Sequence, residues 1–170
     1  GYMPDARSGN CNGRTQGGSN AEIVIADAFV KGLPNIDYHL ALEAMLKDAT
    51  IPPGGNEEAE GRGGLIPYLE LGYIPYGIPR AGNRTIEYSY CDYTIALVAK
   101  GLGKTDLYQQ YLKQSSNWKN LWRADYEHAG VKGFILPRDK EGNWLDKIPF
   151  GNSHIQKPTF TYTPVTFEGP

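Results

Sequence analysis

The chain has 170 residues, about one domain by length, with 17 Lys+Arg against 19 Asp+Glu and a formal net charge of −2. A pI near 5.9 argues against a nucleic-acid clamp, which needs a basic face, and against a polybasic lipid-binding surface; no apolar run reaches the roughly 20 residues of a membrane span. Mean hydropathy is −0.48, ordinary for a globular domain, while 12 Tyr, 3 Trp, 5 Phe, 21 Gly and 12 Pro suit either a ring-lined cleft or a loop-rich fold.

Residues 1–20 read as a long Gly/Asn/Arg-rich loop without hydrophobic period, a stretch that in a compact domain points to function or disorder. Ser19-Asn20 supply N-cap chemistry for a helix over AEIVIADAFVKG. Its little polar face predicts burial over most of the circumference, with Gly32 as the stop. Asp37 is placed to cap a second helix running to about Asp48, with Leu42, Met45 and Leu46 as its apolar stripe. Glu43 and Lys47 form an i,i+4 pair in the favourable order.

Residues 49–64 are a Pro/Gly/Glu-rich loop, and Pro67, Pro75 and Pro79 exclude a long helix in the segment that follows. Asn83-Arg84-Thr85 opens a third helical run ending at Gly101 or Gly103. Thr105 caps a fourth, DLYQQYLKQSSNWKNLW. After Arg123 the period changes, and GFILPRDKEGNWL reads as a β-hairpin or a tight turn around Asp139-Lys140-Glu141-Gly142. From Pro149 onward the sequence is extended and rich in Thr, Pro and aromatics. Helix pairs with short links are the signature of antiparallel helical hairpins, so the expected fold is mainly α with a short β-hairpin and long loops. The irregular sequence at both ends leads us to expect an internal fragment of a longer protein.

The chemistry available is narrow. His39, His128 and His154 are scattered, and no Cys/His set has metal-ligand spacing. There is no nucleophile elbow and no P-loop. Cys11 and Cys91 are too few for a disulfide scaffold, and their pairing stays open. Asp27 reads as the partner of Lys31 in an i,i+4 pair. Glu87 and Asp92 project roughly 140° apart on one helix, so they do not form a carboxylate pair on a single face. Either points into a cleft lined by Tyr88 or Tyr90, or anchors a loop arginine. In the first loop, Asp5, Arg7, Asn10 and Arg14 offer acceptors and fork donors that suit the vicinal hydroxyls of a sugar; a solvated loop with internal Arg–Asp pairs is the alternative. Asn83-Arg84-Thr85 is an N-glycosylation sequon, in keeping with a secreted protein.

GYMPDARSGNCNGRTQGGSNAEIVIADAFVKGL, GRGGLIPYLELGYIP, RTIEYSYCDYTIALVAKGLG, YLKQSSNWKNLW and GFILPRDKEGNW, in this order and spacing, resemble glycoside hydrolase family 92, the calcium-dependent exo-acting α-mannosidases. The resemblance implies an α/α-toroid of helical hairpins, of which residues 1–170 are a partial catalytic domain. An N-terminal β-sandwich and the C-terminal part of the catalytic domain would lie outside them. It implies a secreted enzyme (a cytosolic one is the alternative) that releases terminal, α-1,2-linked mannose from N-glycans with inversion. One carboxylic acid would protonate the leaving oxygen and a carboxylate would activate water across the ring. Calcium, bound by oxygen ligands, would hold the sugar diol. The family's general acid lies in an E-G-x-x-W-x-Y-like segment soon after residue 170, and the base and most calcium ligands lie further on, so the fragment itself is expected to be inactive and to expose apolar helix faces. What it keeps is one wall of the mannose pocket: Asp5 foremost, Arg62 second, then Arg7, Arg14, Glu87 and Asp92. Mannose-containing glycans or glycoproteins are the expected partners, with no nucleic acid and no membrane. The chain departs from the family at Cys91, where many relatives carry aspartate in a Tyr-Asp-Asp run. A non-catalytic carbohydrate-binding or helical interaction module is the competing reading.

Overall fold

The computed structural model describes residues 1–3, 18–54 and 60–145. Among these described residues five helices and one two-stranded sheet follow in chain order: α1 (Asn20–Val30), α2 (Tyr38–Thr50), α3 (Leu65–Leu71), α4 (Ala81–Gly101), α5 (Thr105–Gln114), a 3₁₀ segment (Asn117–Leu121), β1 (Trp122–His128) and β2 (Val131–Ile135). The mainly helical fold with a short hairpin is the expected one.

The long helix α4 is the axis on which the others pack. Its buried positions Thr85, Tyr88, Asp92, Ile95 and Ala99 recur at three- and four-residue spacing, so one face runs continuously into the core. Towards its C-terminus Ile95, Ala96, Val98 and Ala99 join Ala26 of α1, Leu42, Met45 and Ala49 of α2, and Tyr111 of α5. Towards its N-terminus Ala81 and Tyr88 pack with Leu65, Tyr68 and Ile74. Small residues in α4 let its neighbours approach: a Cβ at Gly101 would run into the Phe29 ring.

α1 is less enclosed than its sequence predicts. Only Glu22 and Ala26 are buried, while Val24 and Val30 are 66% and 69% exposed. One stripe packs on α4 and the other apolar side chains face outward, with Tyr90 and Tyr93 of α4 beside them. The expected exposure of apolar helix faces is therefore present. α2 follows its prediction closely. The Asp37 carboxylate accepts from the backbone N–H groups of His39 and Leu40, 3.1 Å each, and Leu42 and Met45 are buried. Lys47, however, does not pair with Glu43; its ammonium donates to the Gly1 carbonyl and lies over the Tyr2 ring.

Pro67 falls in the first turn of α3, where a missing N–H costs nothing, and the helix ends at Gly72 with φ 74°. The fourth predicted helix is broken. α5 stops at Gln114, Lys104 rather than Thr105 occupies its N-cap position, and the chain tightens into the 3₁₀ segment before Trp122 enters β1. The main hairpin joins β1 to β2, with Trp122 opposite Ile135 and His128 opposite Val131. Ala129 and Gly130 at its turn have φ 50° and 79°, the positive values that a two-residue hairpin loop requires. The predicted Asp139–Gly142 turn forms just beyond it, closed by the Arg138–Trp144 bridge and by Asn143 donating to the Asp139 carboxylate. Arg138 ties that turn to the helices. It donates to the carbonyls of Gly142 and Asn120 and lies between the rings of Tyr73 and Trp144, at 5.4 and 4.8 Å from their centroids.

Candidate functional site: a buried acid–arginine cluster beside the flanks of segment 4–17

Asp5, Arg7 and Arg14 lie outside the described residues, as does Cys11. The flanks of their segment are described, and both are anchored. On one side, the Met3 N–H donates to the Asp48 carboxylate near the end of α2, and the Tyr2 hydroxyl donates to the Pro52 carbonyl. On the other, Gly18 and Ser19 are buried against α4. The Cys91 thiol donates to the Ser19 carbonyl at 3.5 Å, and the Glu87 carboxylate abuts Gly18, only 3.1 Å from where a Cβ would stand.

Beneath these flanks three elements meet through charge. Arg62 precedes α3 and has no exposed surface. Its Nη1 donates to Asp92 Oδ1 of α4 and its Nη2 to Glu22 Oε2 of α1, each at 2.8 Å. The Tyr68 hydroxyl of α3 donates to Asp92 Oδ2, also at 2.8 Å. The Arg62 guanidinium lies 5.0 Å from the Tyr88 ring centroid, while the Tyr88 hydroxyl donates to the Gly63 carbonyl. Gly63 has no room for a side chain because the Arg84 guanidinium packs against it, 2.6 Å from a Cβ position.

Burial dominates the electrostatics. It pushes the Asp92 carboxyl up, against the pull of Arg62 and Tyr68. The hydroxyls of Tyr68 and Tyr88 are raised by the same desolvation, as is the Cys91 thiol, with Glu22 adding to it. A buried neutral thiol of this kind is inert; Cys91 is free.

Two of the sequence-predicted site residues, Arg62 and Asp92, are thus brought together, but facing each other in the core. Asp92 anchors a loop arginine, one of the two alternatives its sequence context left open. Glu87 stands apart from them at the Gly18 flank. Asp27 pairs with Lys31 at 2.7 Å on the exposed side of α1. The sequon is not on a surface loop: Thr85 is buried in α4, its hydroxyl donating to Ala81 and accepting from Ile74. Glu22 was not singled out by sequence. Ser19-Asn20-Ala21-Glu22 has the spacing of a helix capping box, which disguises it. The structure gives Ser19 no side-chain cap bond and sends Glu22 to Arg62 instead. Among the described residues no group of three or more His, Cys, Asp or Glu side chains could hold a metal ion, and no helix is long and apolar enough to cross a membrane.

Residues 1–166 match the model of the glycosyl hydrolase family 92 catalytic domain, and the chain belongs to that family. It is 44% identical to an uncharacterized secreted glycosidase of Arthroderma benhamiae, over 91% of this chain and 22% of that protein. Its fold is similar to that of a family GH92 inverting mannosidase of Bacteroides thetaiotaomicron, with a TM-score of 0.71 and 33% identity over 86% of this chain and 19% of the other. A second α-mannosidase of that organism, in complex with mannoimidazole, matches with a TM-score of 0.68 and 30% identity over 88% of this chain and 18% of the other. The chain spans about a fifth of the length of these relatives.

Proposed function

We propose that this chain forms part of the catalytic domain of a secreted exo-α-mannosidase that removes terminal α-1,2-linked mannose from N-glycans with inversion. The observation that carries the reading is its likeness, over 88% of its length, to a mannosidase bound to mannoimidazole. The described residues contribute support rather than chemistry. Asp48 and Cys91 hold the flanks of segment 4–17, and in this reading Asp5 of that segment accepts hydrogen bonds from mannose hydroxyls, with Arg7 and Arg14 donating to them. A carboxylate accepts from two adjacent hydroxyls while a guanidinium donates to the same diol.

The described acids do not fit calcium. Glu22 and Asp92 are both occupied by Arg62 in a closed core, whereas calcium takes six to eight oxygen ligands. Calcium in this reading is held by residues outside those described. The general acid and base are likewise placed beyond residue 170, at the wide separation that leaves room for an attacking water. Residues 1–170 alone are then inactive.

The test uses the full-length protein and α-1,2-linked mannobiose, with the anomer of the released mannose followed by NMR. Release of β-mannose, reduced at least about tenfold by Asp5→Ala and absent from residues 1–170 alone, is the expected result. Glycan binding without turnover would replace the enzyme with the non-catalytic binding module.

A further inference from the structure

Glu22 and Asp92 share one guanidinium in a region closed to solvent, and they share it unequally. Asp92 has Arg62 on one oxygen and Tyr68 on the other. Glu22 has Arg62 on Oε2, and its Oε1 has no hydrogen-bond partner among the described residues. The groups that bear on Glu22 are Arg62, which precedes α3, Asp92, Cys91 and Tyr88 of α4, Asp48 of α2, and Tyr111 of α5. Among the described residues, one cation therefore serves these two bonded carboxylates. A dry interior disfavours the surplus negative charge. The carboxylate with the open oxygen is where a proton most easily relieves it.

We propose that Glu22 is a protonation latch at the junction of α1, α3 and α4, closed with a proton on Glu22 in mildly acidic surroundings and loosened when that proton is lost. The electrostatics support the geometry. Burial, opposed by Arg62 and reinforced by Asp92 and Asp48, pushes the Glu22 carboxyl from its usual 4.5 to about 7. A folded value above the unfolded one stabilises fully below about pH 4.5, and the contribution is lost as pH rises through about 7. Asp92 is shifted in the same direction, so the two effects add. Ser19, which leads directly into α1, is held by Cys91 at this junction, so loosening there reaches the flank of segment 4–17.

Hydrogen exchange of the full-length protein, corrected for intrinsic rates, reads this directly in peptides covering residues 19–30 and 84–99. Opening is expected to be at least about tenfold more frequent near pH 8 than near pH 5.5, one pKa unit being a factor of ten. Glu22→Gln keeps the bond to Arg62 without a titrating group and flattens the profile. Asp92→Asn relieves the charge crowding and moves the midpoint towards acid. Protection that is equal or greater near pH 8 overturns the latch in the wild-type protein alone. A pH dependence retained by Glu22→Gln, or a midpoint unmoved by Asp92→Asn, overturns it as well.

Discussion

Arg62 Nη1 stands 2.8 Å from Asp92 Oδ1, thirty residues further along the chain, and neither side chain is more than 1% exposed. With Glu22 on the other arm of the fork, this pair joins α1, the start of α3 and α4 at one point. The Arg62 guanidinium stays charged because Glu22 and Asp92 together outweigh the pull of burial.

Removing the arginine leaves two carboxylates buried without their partner. Arg62→Met is expected to destabilise the full-length protein by about 3–5 kcal/mol, the usual cost of breaking a buried pair from one side. Arg62→Lys should recover little, because a single ammonium lacks the planar fork that reaches both acids. Urea midpoints of the two variants measure this; a variant as stable as wild type would mean that the cluster is not closed to water.

Gly101 should not accept a side chain. Its Cβ position lies inside the van der Waals envelope of the Phe29 ring, and that ring also meets Tyr38 edge-on at 5.0 Å. Gly101→Ala is expected to cost about 1–3 kcal/mol through overpacking, with part of the loss returned by adding Phe29→Leu. Thermal unfolding of the single and double variants gives the coupling.

The start of α2 depends on one carboxylate. Asp37→Ala removes the acceptor of two backbone N–H groups and should cost about 1 kcal/mol, whereas Asp37→Asn retains most of it. Chemical denaturation distinguishes the two.

Acid should loosen the turn at Asp139. The Asn143 side chain and N–H hold the Asp139 carboxyl below its usual 3.8. A lowered folded value stabilises above the unfolded one and is lost as pH falls through the folded value. Protection of the Gly142 and Asn143 amides, corrected for intrinsic exchange rates, is expected to fall on acidification through that range. Asp139→Asn should abolish the acid dependence; an unchanged profile in that variant would assign it elsewhere.

Much of this was legible locally. Asp37, Leu42 and Met45 announce α2 because a cap and a stripe at helical spacing need no knowledge of the rest of the chain. α3 was not announced: Pro67 reads only as a limit on helix length, and the fold accommodates it in the first turn. The β1–β2 turn was not legible: Ala129 holds a positive φ that L-residues seldom adopt, and the Asn-Gly signal of such turns is missing. Nor was the break after Gln114, where packing of Leu121 into the core overrides a continuous helical pattern.

Charge balance and composition argued against a nucleic-acid clamp, no apolar run had the length of a helical membrane span, and the order of short motifs pointed to a glycoside hydrolase catalytic domain. Those features are carried by residue type and spacing, which a linear chain displays in full. The tertiary structure alone decided that Arg62 and Asp92 meet, that Glu22 is a junction acid and not a cap, and that the sequon threonine is buried. Each depends on residues tens of positions apart sharing a space without water. Only there does one guanidinium between two carboxylates become a defined state of charge.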